Sequence, residues 1–213
     1  MPYLIIGLGN PGKEYEETRH NVGRAVVMAF AKKISANDFS FNKKWNALVA
    51  EAKVGKEKVA LLLPETFMNK SGAAAGPAAR FYKIKPAAIV VVHDDSDIEA
   101  GRGKLSFNKS SAGHKGVESV IRALKTESFW RFRIGIQKKR RVEAEKLVLQ
   151  KFTPDEKKSV TKVVKRTADA LEELMRDGPE VVMKQLHQAR VALRLDVIQL
   201  QRREHAAAVA PEA

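Results

Sequence analysis

Two short runs limit what this chain can fold into. Leu4-Ile5-Ile6 and Ile89-Val90-Val91-Val92 are apolar at every position, with no polar residue alternating between them. A strand covered on one face alternates; a strand covered on both does not, and such strands belong to sheets with helices on either side. The first run breaks into Gly7-Leu8-Gly9 and the second passes into His93-Asp94-Asp95. Ligands and catalytic groups of α/β sheets gather at such strand ends.

The remaining segments supply partners for these strands. Asn21 to Lys33 carries Val22, Val26 and Phe30 at helical spacing and closes on two lysines, the charge a helix C-terminus favours. Lys70 to Tyr82 is an alanine-rich helix, and His114 to Leu124 is predicted as another. Trp45–Val54, Lys58–Leu63, Lys104–Phe107 and Trp130–Ile136 are predicted strands. Thr153-Pro154-Asp155-Glu156 combines a cap, a first-turn proline and a glutamate three residues after the cap, which starts a helix running to about Arg176. Gly178 ends it, and Pro179 opens a last helix predicted to reach Arg203. The expected architecture is one α/β domain over residues 1–186, with a mixed central sheet flanked by helices. A helical extension with a frayed end is expected over 187–213.

Composition narrows the function. No apolar run approaches the ~18 residues of a membrane span, no leader pattern is read at the N-terminus, and cysteine is absent. Disulfides and thiolate metal sites are thereby excluded, and a cytoplasmic location is expected. The net charge is +14, which attracts polyanions, nucleic-acid phosphates above all. Arg131, Arg133, Lys138, Lys139, Arg140 and Arg141 concentrate that charge in one segment.

Gly7-Leu8-Gly9-Asn10-Pro11-Gly12 has the spacing of a dinucleotide-binding loop. That loop must run straight into a helix whose N-terminus holds a pyrophosphate. Pro11 and the polar residues 13–18 delay the helix here, and no strand ending in an acid follows about 20 residues on. A nicotinamide or flavin cofactor is therefore not expected. His93, Asp95 and Asp97 flank Asp94, but strand alternation points neighbours to opposite faces, and no metal is expected either.

Six segments in order resemble the bacterial-type peptidyl-tRNA hydrolase family. They are G-L-G-N-P-G at 7–12, T-R-H-N at 18–21, T-F-M-N at 66–69, V-x-H-D-D at 91–95, G-H-x-G at 113–116 and R-I-G-I at 133–136. The resemblance spans about residues 3 to 186. It implies a monomeric hydrolase that cleaves the ester between a peptide and the 3′ ribose of tRNA. A non-catalytic RNA-binding adaptor on the same fold is the alternative. The matching positions make His20 the general base and Asp94 the carboxylate that orients it. That pairing is chemically sound, because a carboxylate on one ring nitrogen fixes the tautomer and raises the basicity of the other. With no serine or cysteine at a nucleophile elbow, water is the expected attacking group.

By the same resemblance, Asn10, Tyr15, Phe67 and Asn69 line the substrate cleft, with His114 and Lys115 at its far side. Lys104 and Arg133 meet tRNA phosphate. Two residues depart from the family pattern. Lys115 stands where an asparagine is usual, and an ammonium donates but does not accept. Ser106 stands where a cation is expected, with Lys109 and Arg102 as possible substitutes.

Overall fold

A computed structural model describes residues 2–187. Seven strands form one mixed sheet: β1 (Tyr3–Gly7), β2 (Ser40–Asn42), β3 (Ala47–Val54), β4 (Glu57–Pro64), β5 (Ile89–Glu99), β6 (Gly103–Phe107) and β7 (Trp130–Gln137). Their order is β2-β3-β4-β1-β5-β7-β6. The central strands β4, β1, β5 and β7 run parallel, while β2–β3, β3–β4 and β6–β7 pair antiparallel.

Alternate residues of the two apolar runs feed opposite layers. Ile5, Val90 and Val92 pack with α1 (Val22–Lys33), Leu147 of the one-turn helix α4 (Ala144–Leu147) and α5 (Pro154–Asp177) on one face. Leu4, Ile6, Ile89 and Val91 face α2 (Gly72–Phe81) and α3 (Lys115–Leu124) on the other. The alanines of α2 let it lie close: a Cβ on Gly72 would stand 2.1 Å from the Ser119 carbonyl oxygen of α3. α5 opens with the expected capping box between Thr153 and Glu156, a device of which the threonine cap alone is worth about 1 kcal/mol.

Three boundaries differ from the sequence expectation. β5 does not end at Val92 but continues through His93, Asp94 and Asp95 to Glu99, paired with β7 from Val90 to Asp95 and again at Glu99, with a register shift between. Its polar half lacks the apolar signal of a strand, yet the backbone pairing with β7 holds it. His114 is the cap of α3 rather than its first residue. The three-residue edge strand β2 is too short to signal itself. Residues 179–187 are helical, as Pro179 suggests. The extension expected beyond them, with His205, lies outside the described residues. No described helix is long and apolar enough to cross a membrane.

Candidate active site

The site forms where β1 ends beside the middle of β5. After β1 the chain makes a 3₁₀ turn at Arg19–Asn21 and enters α1. A Cβ on Gly23 would stand 2.3 Å from the carbonyl oxygen of Val92, so the start of α1 lies directly on β5, two residues before Asp94. That contact delivers His20 to Asp94. His20 Nδ1 lies 2.7 Å from Asp94 Oδ1.

A second ring meets the same oxygen. His114 Nε2 is 2.8 Å from Asp94 Oδ1, while its Nδ1 accepts the backbone N–H groups of Gly116 and Val117, each at 3.2 Å. These partners assign the protons. Nδ1 of His114 is an acceptor, so its hydrogen sits on Nε2 and is donated to Asp94. Asp94 is buried and accepts from both rings. Burial pushes its carboxyl up, but the charge and hydrogen bonds of His114 and His20 outweigh burial and hold it well below the ordinary carboxylate range. An ionised Asp94 accepts only, so His20 carries its hydrogen on Nδ1 and keeps a lone pair on Nε2. Nε2 has no hydrogen-bond partner among the described residues, and His20 lines the cleft.

His93 sits behind this group. Its ring packs edge-on to His114 at 4.7 Å between centroids, and its Nδ1 donates to the Asp94 carbonyl oxygen at 2.6 Å. Burial, followed by the neighbouring His114, pushes its pKa well below the ordinary value, which keeps the ring neutral.

Donor atoms of His20, Asp94 and His114 fall within 4.8 Å of one another, the spacing of a metal site. The proton assignment speaks against that use. A ligating His114 would need its lone pair on Nε2, and its Nδ1 hydrogen would then face the two N–H groups of α3.

Asn10 is oriented as firmly. Its backbone N–H donates to Asn21 Oδ1 at 2.8 Å, and Asn21 Nδ2 returns a bond to its carbonyl oxygen at 2.9 Å. Its side-chain Oδ1 accepts Met68 N–H at 2.8 Å. Only the Nδ2 donor remains free, on the wall of the cleft.

The cleft encloses about 1210 Å³, more than the 300–1,000 Å³ typical of a small-molecule pocket. Asn10, His20, Phe67 and Asn69 line it, together with the cationic side chains of Lys104, Lys109 and Arg133. Phe67 is well exposed at 58%, a large apolar surface left for a ligand.

Comparison with known proteins fits this geometry. The sequence profile of the peptidyl-tRNA hydrolase family matches residues 4–194. The chain belongs to the peptidyl-tRNA hydrolase family. It is 43% identical over 185 residues to the peptidyl-tRNA hydrolase of Caldanaerobacter subterraneus subsp. tengcongensis, covering 87% of this chain and 99% of that one. Identity to the peptidyl-tRNA hydrolase of Mycobacterium tuberculosis strain H37Rv is 40% over 187 residues, covering 87% and 97%. The crystal structure of the Acinetobacter baumannii peptidyl-tRNA hydrolase superposes with a TM-score of 0.80 at 31% identity, covering 86% of this chain and 93% of that one.

Within this peptidyl-tRNA hydrolase family member, most of the expected site residues meet in one cleft, and some stand apart. Tyr15 is half-buried in a short 3₁₀ turn and does not line the cleft. Arg133 lines it, but its Nε is 2.5 Å from Asp95 Oδ2, so much of its charge is answered within the protein. Lys104 is exposed and has no partner among the described residues. Ser106 is buried directly opposite Arg131 in the β6–β7 register. A cation at 106 would face another across the sheet, a destabilising arrangement. Arg131 itself does not belong to the exposed basic run. It is buried beneath the cleft, where it donates to the carbonyl oxygens of Ser110 and Lys109 and so holds their loop. Sequence reading misses Asn21 and Arg19. Their only signal is membership of the T-R-H-N segment.

Proposed function

We propose that Nε2 of His20 removes a proton from water as that water attacks the ester carbonyl between the peptide and the 3′ ribose of tRNA. The observation that carries this reading is the 2.7 Å bond from His20 to Asp94, which leaves Nε2 as the ring's one available nitrogen in the cleft. Asp94 fixes the tautomer and stabilises the imidazolium as it forms. His114 holds Asp94 in place. Asn10, fixed as a donor, polarises a substrate carbonyl or its developing oxyanion. Phe67 and Asn69 contact peptide or terminal adenosine, while Tyr15 closes the 3₁₀ turn that follows the Asn10 loop.

Lys115 is the first residue of α3, exposed and on the cleft wall. A cation there opposes the helix dipole, so stability does not explain it. Its ammonium is free to meet an anionic or carbonyl group of the substrate. The enzyme is taken to act as a monomer, and a substrate made by ribosomes fits a cytoplasmic enzyme. The rival reading, an RNA-binding adaptor, gives the ordered His20–Asp94–His114 group no task.

Release of peptide from purified peptidyl-tRNA tests the proposal. The wild type should turn over, and His20→Ala should lose roughly 10²–10⁴ in kcat, the usual contribution of a general base. A wild type without turnover would favour the adaptor.

tRNA phosphates are met by Lys104 and, less strongly, Arg133. In the basic run 138–141, Lys138 bonds Gln150 and Arg141 bonds Asp97, which leaves Lys139 and Arg140 unpartnered among the described residues. Changing Lys139 and Arg140 to glutamine should lower the slope of log affinity against log salt by about 0.7–0.9 for each phosphate that is no longer neutralised. An unchanged slope assigns them to a solvated loop.

A further inference from the structure

The turn that carries His20 is held by a buried ion pair. Arg19 is fully buried. Its Nη1 donates to the Ile136 carbonyl oxygen at the end of β7, at 2.8 Å. Its Nη2 lies 2.6 Å from Glu156 Oε2 on α5, and the guanidinium stacks 4.6 Å above the Phe152 ring. Glu156 Oε2 also accepts the Thr153 N–H at 2.8 Å, so one oxygen closes the capping box and receives Arg19. The backbone is tied as closely: Arg19 N–H donates to the Gln150 carbonyl oxygen and His20 N–H to that of Val148, each at 2.9 Å.

We propose that the Arg19–Glu156 pair is a positioning device for catalysis, which fixes the 3₁₀ turn so that His20 meets Asp94 at the working distance. The inference rests on the reading of His20 as the base. Three consecutive side chains of the turn go to three destinations: Arg19 to β7 and α5, His20 to Asp94, Asn21 to the backbone of Asn10. Rotation of the turn would therefore move His20 and Asn10 together. A buried guanidinium is an expensive way to fill space, since an apolar side chain of similar volume often does so at no loss of stability. What the guanidinium supplies is direction, through two fixed N–H bonds to groups 117 and 137 residues away in sequence. The backbone bonds to Gln150 and Val148 hold the turn in place, and the guanidinium bonds fix its rotation.

Four variants and two readouts test the device. Arg19→Met removes both bonds while keeping much of the volume. It should lower kcat roughly 10²-fold, the effect of a displacement near 1 Å, with KM changed less than kcat because Phe67, Asn69, Lys104 and Lys115 of the cleft stay in place. The Nδ1 proton of His20, followed by NMR in protein labelled at the imidazole nitrogens, should broaden or vanish. Glu156→Gln keeps an oxygen for both donors and should retain kcat and the proton signal. Glu156→Ala should lose both in part, and as a partly exposed site it carries the test if Arg19→Met does not fold. A purely structural pair would lower the melting temperature while leaving kcat and the His20 signal of the folded protein unchanged; that result overturns the proposal. His20→Ala separates the two readings: if it retains turnover, the base is misassigned, whereas the NMR signal in Arg19→Met still reports positioning by itself.

Discussion

Asp94→Asn should lower kcat by about 10³–10⁴, the scale seen when a carboxylate that orients a catalytic histidine becomes an amide, without closing or reshaping the cleft. One oxygen of Asp94 accepts from both His20 and His114. An asparagine can offer its Oδ1 to both rings, but then lacks the charge that stabilises the imidazolium. Flipped, it turns an NH₂ toward both N–H donors and drives His20 to the wrong tautomer. Either state fails, and peptide release from peptidyl-tRNA measures the loss. Full activity would show that Asp94 has no electrostatic part in the reaction.

The same substitution has a stability signature with a fixed sign. Asp94 is held well below its ordinary range in the folded protein, the two rings prevailing over burial. A carboxyl depressed by folding stabilises the native state above its unfolded value, here above about pH 4, and the contribution fades as the pH falls toward the folded value. The melting temperatures of wild type and Asp94→Asn should therefore differ most near neutrality and converge in acid.

His114→Asn should separate two tasks that one ring performs. Its Nδ1 caps α3 and its Nε2 donates to Asp94. Asparagine is among the best helix caps, but its short side chain cannot also reach Asp94. The variant should melt close to the wild type and lose about 10²-fold in kcat, as expected when a catalytic group slips from its orientation. His114→Ala should lose similar activity and about 1 kcal/mol of stability besides. Equal activity of His114→Asn and wild type would reduce the ring to a cap.

Much of the frame can be read from residues because its signals are local. The unbroken apolar runs at Leu4–Ile6 and Ile89–Val92 mark strands covered on both faces, and Thr153 with Glu156 marks a helix start. The site is less legible, because what each group does depends on partners from distant segments. Arg19 and Arg131 count as surface charge in any composition, yet both are buried. Only the fold brings Ile136 and Glu156 to Arg19, or the loop carbonyls to Arg131. In sequence, His114 reads as a helix cap or as a group holding the substrate end; that one ring both caps α3 and bonds Asp94 emerges once α3 is set beside β5. The polar half of β5 is hidden for the opposite reason, since its strand character comes from pairing with β7 rather than from side chains.

The capping bonds to His114 also set the number of mobile hydrogens. With Nδ1 accepting from two peptide groups and Nε2 donating to Asp94, both nitrogens of that ring are committed. His93 is buried and kept neutral. Of the three imidazoles in contact, His20 is the one whose unpartnered nitrogen, among the described residues, is not buried. In the proposed mechanism the proton withdrawn from water leaves through the same Nε2 to the departing ribose oxygen. The rate in mixtures of light and heavy water should then fall in a straight line with deuterium content, as for a single hydrogen in flight.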